Sequence, residues 1–169
     1  MTQEQAALQR VIDRDELRHL LATYCRSIDR GDSELLASVF TDDATILAGI
    51  CDGSAKAFAR DAPPILAENL AMCFHSVANS WFDIEGDEAQ GESYVVAFNR
   101  TRHAPHIENI VAGRYFDRFT RTNGAWKIRE RVFVQDWASA RPAEPASPPP
   151  DGRYGCFGPN DPLYKFLAK

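Results

Sequence analysis

The spacing of apolar residues changes once along the chain, near residue 73, and this change limits the folds open to it. Before it, apolar side chains recur at the spacing of an amphipathic helix: Leu17, Leu20, Leu21, Tyr24, Cys25 and Ile28. After it, the sequence alternates with a period of two, as strands do. Helices followed by strands predict an α+β fold, with N-terminal helices packed on a strongly curved, mostly antiparallel sheet.

Cap and turn residues predict the boundaries of these elements. The first helix is expected to begin at Asp13 and to end at Gly31. A later helix is expected over residues 54–71, interrupted at Pro63-Pro64 because proline has no amide hydrogen to donate. Asn123-Gly124 is a strong hairpin signal among the predicted strands, which cover residues 73–82, 93–102, 110–121 and 125–137.

Length and composition indicate one domain over residues 1–138 and a Pro/Gly-rich tail over residues 139–169, packed on its own or a neighbouring subunit.

The 24 acidic residues outnumber the 19 basic ones, and the resulting charge of −5 argues against nucleic acid as a partner. No apolar run is long enough to cross a membrane. Residues 1–13 lack the pattern of a signal peptide, and the four cysteines form no CxxC pair, so a cytoplasmic protein with reduced thiols is expected.

Two residues are the first candidates for chemistry. Asp29 lies in the last turn of the first predicted helix, where the helix dipole disfavours a negative charge. It is either an exposed residue that helps to end the helix or a carboxylate directed into a cavity between helix and sheet. His75 shares a predicted strand face with Val77 and Trp81. It is either a packed or surface histidine or, if a carboxylate holds one ring nitrogen, a base.

Other polar residues are open to two interpretations. Tyr24 either packs in the core or offers its hydroxyl to a substrate oxygen. Arg131 lies on the last predicted strand and either belongs to a solvated basic face or is buried. Phe133, on the same side of the strand, indicates that this face becomes more buried toward the end of the strand. His103 and His106 lie in a loop and lack a third ligand for zinc. Because no cofactor motif is present, neither a cofactor nor a metal is expected.

Several segments resemble the SnoaL-like branch of the nuclear-transport-factor-2-like superfamily. They are LRHLLATYCRSIDRGDSELLASVFTDDATI, FHSVANSWFDIEGDEA, SYVVAF and GRYFDRFTRTNGAWKIRERVFVQDW, and together they span roughly residues 13–137. The GPNDPLY of the tail is similar to endings common in that branch. The resemblance implies a cone-shaped α+β barrel, a fold that serves many functions.

The same resemblance implies a site. Dehydratases and dehydrochlorinases of this branch use an Asp–His dyad inside the cone, and Asp29 and His75 match its two positions. Tyr24 and Arg131 match two further polar positions of the same pocket. Three more residues are expected to contact the substrate: Asn99, Phe98 and Trp81.

These matches imply a cofactor-independent lyase that acts on a small, largely apolar cyclic molecule. His75 would abstract a proton, and Asp29 would orient its imidazole. Tyr24 would donate to a developing enolate oxygen, and Arg131 would steady a departing hydroxide or halide. Two alternatives stay open: isomerisation by the same residues, as in ketosteroid-isomerase-like relatives, and a non-catalytic role like that of dioxygenase β subunits or ligand-binding relatives.

The open face of the predicted sheet indicates an oligomer. It is expected to carry large side chains such as Trp81 or Phe82, and an uncovered apolar face usually marks an interface. Related dehydratases are trimers, so the resemblance implies a homotrimer in preference to a dimer.

Overall fold

The computed structural model describes residues 2–144 and 154–168. The described helices are α1 (Gln3–Arg30), α2 (Ser33–Ser38), α3 (Ala55–Asn69) and α4 (Pro162–Leu167), and the strands are β1 (Phe40–Leu47), β2 (Gly53–Ser54), β3 (Leu70–Glu85), β4 (Glu88–Thr101), β5 (Ile107–Thr122) and β6 (Ala125–Pro142). The strands form one sheet in the order β2-β1-β6-β5-β4-β3, antiparallel except between β1 and β6. No helix in the described ranges is long and apolar enough to span a membrane. The curved, unclosed sheet with helices at the N-terminus confirms the predicted α+β fold class.

Helix α1 begins at Gln3, so the expected start at Asp13 is wrong. Thr2 caps the helix and forms a reciprocal capping box with Gln5. The first turns are mostly exposed, and they carry no apolar stripe that the sequence pattern could detect. The end of the helix is as expected, because Gly31 adopts the left-handed conformation with φ 67° and its N–H bonds the carbonyl of Ile28.

Helix α3 continues through Pro63 and Pro64, so the expected interruption is also wrong. The fixed φ of proline fits a helix, and its cost is the missing amide hydrogen. Pro63 is fully buried, and its packing offsets that loss. The chain leaves α3 at Asn69 and enters β3 directly at Leu70.

A register shift in β3 changes which side chains face the core. The shift lies between Val77 and Ser80, and beyond it the alternation is reversed. Phe82 is therefore buried, with 6% of its surface exposed, whereas Trp81 is 60% exposed on the outer face. The expectation that Phe82 lies on the open face is wrong, and Trp81 does not share a face with His75.

The core lies between the inner face of the sheet and the helices α1 to α3. It includes the large side chains Leu17, Leu21, Ile28, Phe58, Phe119 and Ile128. Burying each such side chain stabilises the fold by about 1.5–3 kcal/mol. Because α1 packs on β3, the C-terminal end of the helix lies beside the first residues of that strand.

The C-terminal residues contact the same chain. Strand β6 continues to Pro142, so the first residues of the expected tail belong to the sheet. Residues 145–153 of that tail lie outside the described residues. Within residues 154–168, the N–H of Gly158 donates to the carbonyl of Arg30 over 2.7 Å. This contact places the described part of the tail beside the end of α1.

A candidate active site between the first helix and the sheet

Asp29 and His75 are in direct contact where α1 meets β3. The ring Nδ1 of His75 donates to Asp29 Oδ1 over 2.7 Å, and the backbone N–H of His75 donates to Oδ2 over 3.0 Å. Because a carboxylate only accepts hydrogen bonds, we assign the ring proton to Nδ1 and the free lone pair to Nε2. The side chains are 10% and 15% exposed, so water competes little with these bonds. The pair has the geometry of a base held by a carboxylate.

The position of Asp29 is unfavourable for the helix and is stabilised by the strand. A negative charge in the last turn of α1 opposes the helix dipole, at a cost of about 0.3–1 kcal/mol. Each hydrogen bond to a charged group contributes about 1.5–3 kcal/mol, so the two bonds from His75 outweigh that cost. Asp29 is therefore not an exposed residue that only ends a helix.

A cavity of about 170 Å³ adjoins the inner side of this pair. Its walls are mostly apolar and include Ile28, Ile50, Phe58, Leu66, Val95 and Phe133. The polar side chains that line it are Tyr24, Cys73, His75, Asn99 and Tyr115. In the part of the chain that the structure describes, no lysine or arginine lines it. An apolar pocket with a few convergent polar groups is typical of a small-molecule site.

Two tyrosines form one wall of the cavity. The rings of Tyr24 and Tyr115 meet edge to face, with their centroids 5.7 Å apart. Tyrosine hydroxyls are protonated donors at neutral pH even at their ordinary pKa. Burial raises the pKa of Tyr24 further, to about 12, and raises the pKa of Tyr115 well above its ordinary value. Sequence reasoning missed Tyr115. The available signal was its spacing of four residues from Phe119 on β5, which places both side chains on the same, inward face of the strand.

Arg131 lies behind these tyrosines and does not line the cavity. It is fully buried and binds Asp117 through two parallel hydrogen bonds of 2.7 and 2.8 Å. Its guanidinium carbon is 4.0 Å from the ring centroid of Tyr24 and 4.0 Å from that of Tyr115. Burial alone would lower the pKa of Arg131, but the Asp117 carboxylate outweighs it and raises that pKa, so the charge is permanent. The structure therefore does not bring Arg131 to a leaving group.

Comparison with known proteins places the chain in a family. The family model of the SnoaL-like domain matches residues 9–132. The chain belongs to the SnoaL-like family. No sequence among the curated proteins matches that of this SnoaL-like protein.

Solved structures of other proteins share this fold. A hexachlorocyclohexane dehydrochlorinase, LinA type 2, is similar with a TM-score of 0.73 and 20% identity, over 85% of this chain and 99% of its own. A protein assigned as a scytalone dehydratase, from Novosphingobium aromaticivorans, has a TM-score of 0.70 and 21% identity over 82% and 94%. A third, from the same organism and assigned as an aromatic ring hydroxylase, has a TM-score of 0.66 and 25% identity over 78% and 94%.

The residues expected to contact substrate occupy different faces of this SnoaL-like protein. Asn99 lines the cavity, and its Oδ1 accepts from Asn109 Nδ2 over 2.9 Å. Phe98 points to the outer face, where its ring packs against Phe74. Trp81 lies on the same outer face. Of these three expected residues, the structure brings only Asn99 to the cavity.

Sequence reasoning also missed Cys73, which adjoins the Asp29–His75 pair. Its Sγ lies 3.8 Å from His75 Nδ1, and the residue is 8% exposed. Burial raises the pKa of this thiol to about 12, and the Asp29 carboxylate adds to the effect. The available signal was its position two residues before His75, since alternate residues of a strand share a face.

Alkaline pH is expected to destabilise this SnoaL-like protein. Burial raises the pKa of Cys25 and Cys73 from 9.0 to about 12 and that of Tyr24 from 10.0 to about 12. Between about pH 9 and about pH 12 the unfolded chain therefore binds fewer protons than the folded chain, and the free energy of unfolding falls as pH rises. Urea unfolding across that range measures the fall. Tyr24→Phe should make it shallower above about pH 10, and an unchanged slope would contradict this explanation.

Proposed function

We propose that this protein is a cofactor-independent lyase, which eliminates water or halide from a small, largely apolar cyclic substrate. The observation that carries the proposal is the bond between Asp29 and His75 beside a mostly apolar cavity. The similarity to structures named as a dehydrochlorinase and a dehydratase supports it.

In the proposed step, His75 acts as the base. Nε2 takes a proton from a carbon next to a carbonyl group, and the C–H electron pair forms an enolate. The enolate collapses to a carbon–carbon double bond, and hydroxide or halide leaves from the neighbouring carbon with its bonding pair. Asp29 stabilises the imidazolium through the bond to Nδ1. Such general base catalysis contributes about 10²–10⁴-fold.

The tyrosine wall supports the stabilisation of negative charge in the enolate. Tyr24 donates its hydroxyl hydrogen to the enolate oxygen, and Tyr115 is a second donor on the same wall. Both hydroxyls are protonated at neutral pH, and burial raises the pKa of each further. Arg131 does not contact the substrate. It is a permanent cation held against both tyrosine rings, and it acts on the enolate only through these two tyrosines. In a water-poor site, donors of this kind are often the largest contribution to catalysis.

The size of the cavity limits the substrate. An engineered cavity of about 150 Å³ in another protein holds a benzene molecule. The cavity here measures about 170 Å³, which suits one six-membered ring with small substituents. Asn99 lines the cavity and offers an amide to bind a polar substituent of that ring.

Isomerisation is the second candidate, and the position of Arg131 favours it. No arginine or lysine in the described ranges reaches the cavity to stabilise a departing anion. An isomerase needs no such group, because the abstracted proton returns to a different carbon of the substrate.

Product analysis separates the two reactions. Elimination should convert 3-hydroxycyclohexanone to 2-cyclohexenone and water, or 3-chlorocyclohexanone to 2-cyclohexenone and chloride. Isomerisation should convert 3-cyclohexenone to 2-cyclohexenone without loss of any atom. Chromatography and chloride release measure the products, with His75→Ala as the control. Turnover of 3-cyclohexenone alone would contradict the lyase, and turnover of none of the three would contradict a base acting on single-ring substrates.

We further propose that the chain forms a homotrimer through the outer face of the sheet. That face exposes the large apolar side chains Phe74, Trp81, Tyr94, Phe116 and Trp137. Light scattering is expected to give three times the chain mass of 18.9 kDa, with a dimer as the alternative. Trp81→Glu should weaken the assembly, whereas Leu8→Glu, at an exposed site on α1, should not. A monomer at micromolar concentration would contradict both assemblies.

A further inference from the structure

We propose that Asp29, Cys73 and His75 form a binding site for one thiol-preferring divalent metal ion, of which Zn²⁺ is the test case. One ligand atom from each residue, a carboxylate oxygen, Sγ and a ring nitrogen, lies within 4.8 Å of the other two. These three residue types are the usual protein ligands of zinc.

The distances are close to those of a tetrahedral zinc site. With zinc bonds of about 2.0–2.3 Å, a nitrogen and an oxygen ligand lie about 3.3 Å apart, and a nitrogen and a sulfur about 3.6 Å apart. Here His75 Nδ1 lies 2.7 Å from Asp29 Oδ1 and 3.8 Å from Cys73 Sγ. Opening the nitrogen–oxygen distance by about 0.6 Å and closing the nitrogen–sulfur distance by about 0.2 Å would convert the hydrogen-bonded cluster into a chelate.

Two structural elements hold the ligands, and three cavities adjoin them. Cys73 and His75 are alternate residues on one face of β3, and Asp29 lies at the end of α1. The inner cavity is lined by Cys73 and His75, and a separate groove of about 300 Å³ is lined by Asp29 and Cys73. A third cavity, of about 570 Å³, is lined by Asp29 and His75. Three protein ligands leave a fourth position for water or a small molecule.

Protons and charge balance on binding. The Cys73 thiol releases its proton to solvent and binds as thiolate, while the ring proton of His75 passes from Nδ1 to Nε2 and the imidazole stays neutral. The thiolate and the Asp29 carboxylate then neutralise the two charges of the ion. Because Nε2 carries a proton in this state, the bound ion and the proposed base exclude each other. The ion is an inhibitor of that reaction and not its cofactor.

The ligand set also determines which ions bind. A thiolate and an imidazole favour Zn²⁺, whereas Mg²⁺ prefers oxygen ligands and retains its water. Zn²⁺ should therefore bind where Mg²⁺ does not. The site needs only these three side chains, so its test is independent of the proposed reaction.

Calorimetry on the untagged, chelator-treated full chain tests the site. Wild type is expected to bind one Zn²⁺ per chain and no Mg²⁺. Cys73→Ala should weaken Zn²⁺ binding by at least about 100-fold, because loss of even an outer partner of a ligand costs about 10–100-fold. Cys51→Ala removes a thiol from the loop between β1 and β2 and should bind Zn²⁺ as wild type does.

A spectroscopic measurement covers the case in which Cys73→Ala fails to fold. With Co²⁺ in place of Zn²⁺, wild type should show a thiolate-to-metal charge-transfer band, and Cys73→Ser should lose it while circular dichroism shows a folded chain. Three results would overturn the site: no saturable Zn²⁺ binding by wild type, equal binding by Cys73→Ala, or an unchanged band in Cys73→Ser.

Discussion

Asp117→Asn is expected to lower the free energy of unfolding by about 3–5 kcal/mol, the cost of leaving one member of a buried ion pair without its partner. Arg131 is fully buried, and Asp117 supplies both of its short hydrogen bonds. Its Nη1 has no hydrogen-bond partner among the described residues. Asparagine keeps the shape of the side chain but removes the charge, so the guanidinium cation is left uncompensated. Urea unfolding of the variant and of wild type measures the difference.

Two controls show whether the cost comes from the buried charge. Asp61→Asn breaks the exposed ion pair with Arg60, and its effect on the free energy of unfolding should be much smaller, because water screens that pair. The double variant Asp117→Leu with Arg131→Met removes both charges and should recover much of the loss, since a buried pair can be replaced by apolar side chains at little cost. If Asp117→Asn and Asp61→Asn have equal effects, the interpretation of Arg131 as a buried cation that depends on Asp117 is wrong.

The second large effect is expected on turnover, from Asp29→Asn. The amide of asparagine can donate to Nδ1, which would move the ring proton of His75 to Nε2 and remove the base. We expect kcat to fall by about 10²–10⁴-fold on whichever substrate the product analysis identifies. The melting temperature should fall only modestly, because asparagine can keep both hydrogen bonds in a weaker, neutral form and a negative charge is removed from the unfavourable end of α1. Steady-state kinetics and thermal unfolding measure the two quantities.

Asp15→Asn is the matched control for this variant. Asp15 is exposed on the same helix, so its replacement should change neither kcat nor the melting temperature. An Asp29→Asn enzyme with wild-type kcat would show that Asp29 does not orient the base.

The spacing of apolar residues along the sequence predicted the class of the fold but not where each helix and strand begins and ends. The stripe from Leu17 to Ile28 and the later alternation were sufficient for α+β. The true start of α1 was hidden because its first turns face solvent and carry no stripe. Asp13 was taken for a cap because two of its three hydrogen-bond partners, Arg121 and Trp126, are more than a hundred residues away. Contacts between distant positions are not visible in local spacing.

The candidate site shows the same limit. Residue type and family resemblance selected Asp29 and His75, and the structure brings them into contact. The same reasoning placed Arg131 in the pocket, because the strand pattern indicates a face and not depth. Its partner Asp117 also went unrecognised, since a lone aspartate on a strand is ordinarily exposed. Because this ion pair is buried behind the tyrosines, Arg131 contacts Asp117 and the two tyrosine rings and does not line the cavity.

Exchange of substrate protons with solvent tests the base directly and is shared by elimination and isomerisation. Cyclohexanone fits the size of the cavity, and proton NMR in D₂O follows the replacement of the hydrogens next to its carbonyl by deuterium. Wild type should accelerate this exchange over buffer, and His75→Ala should lose at least about 10²-fold of the acceleration while the exposed-loop variant His103→Ala keeps it. Equal exchange rates for wild type and His75→Ala would contradict the account of His75 as the base.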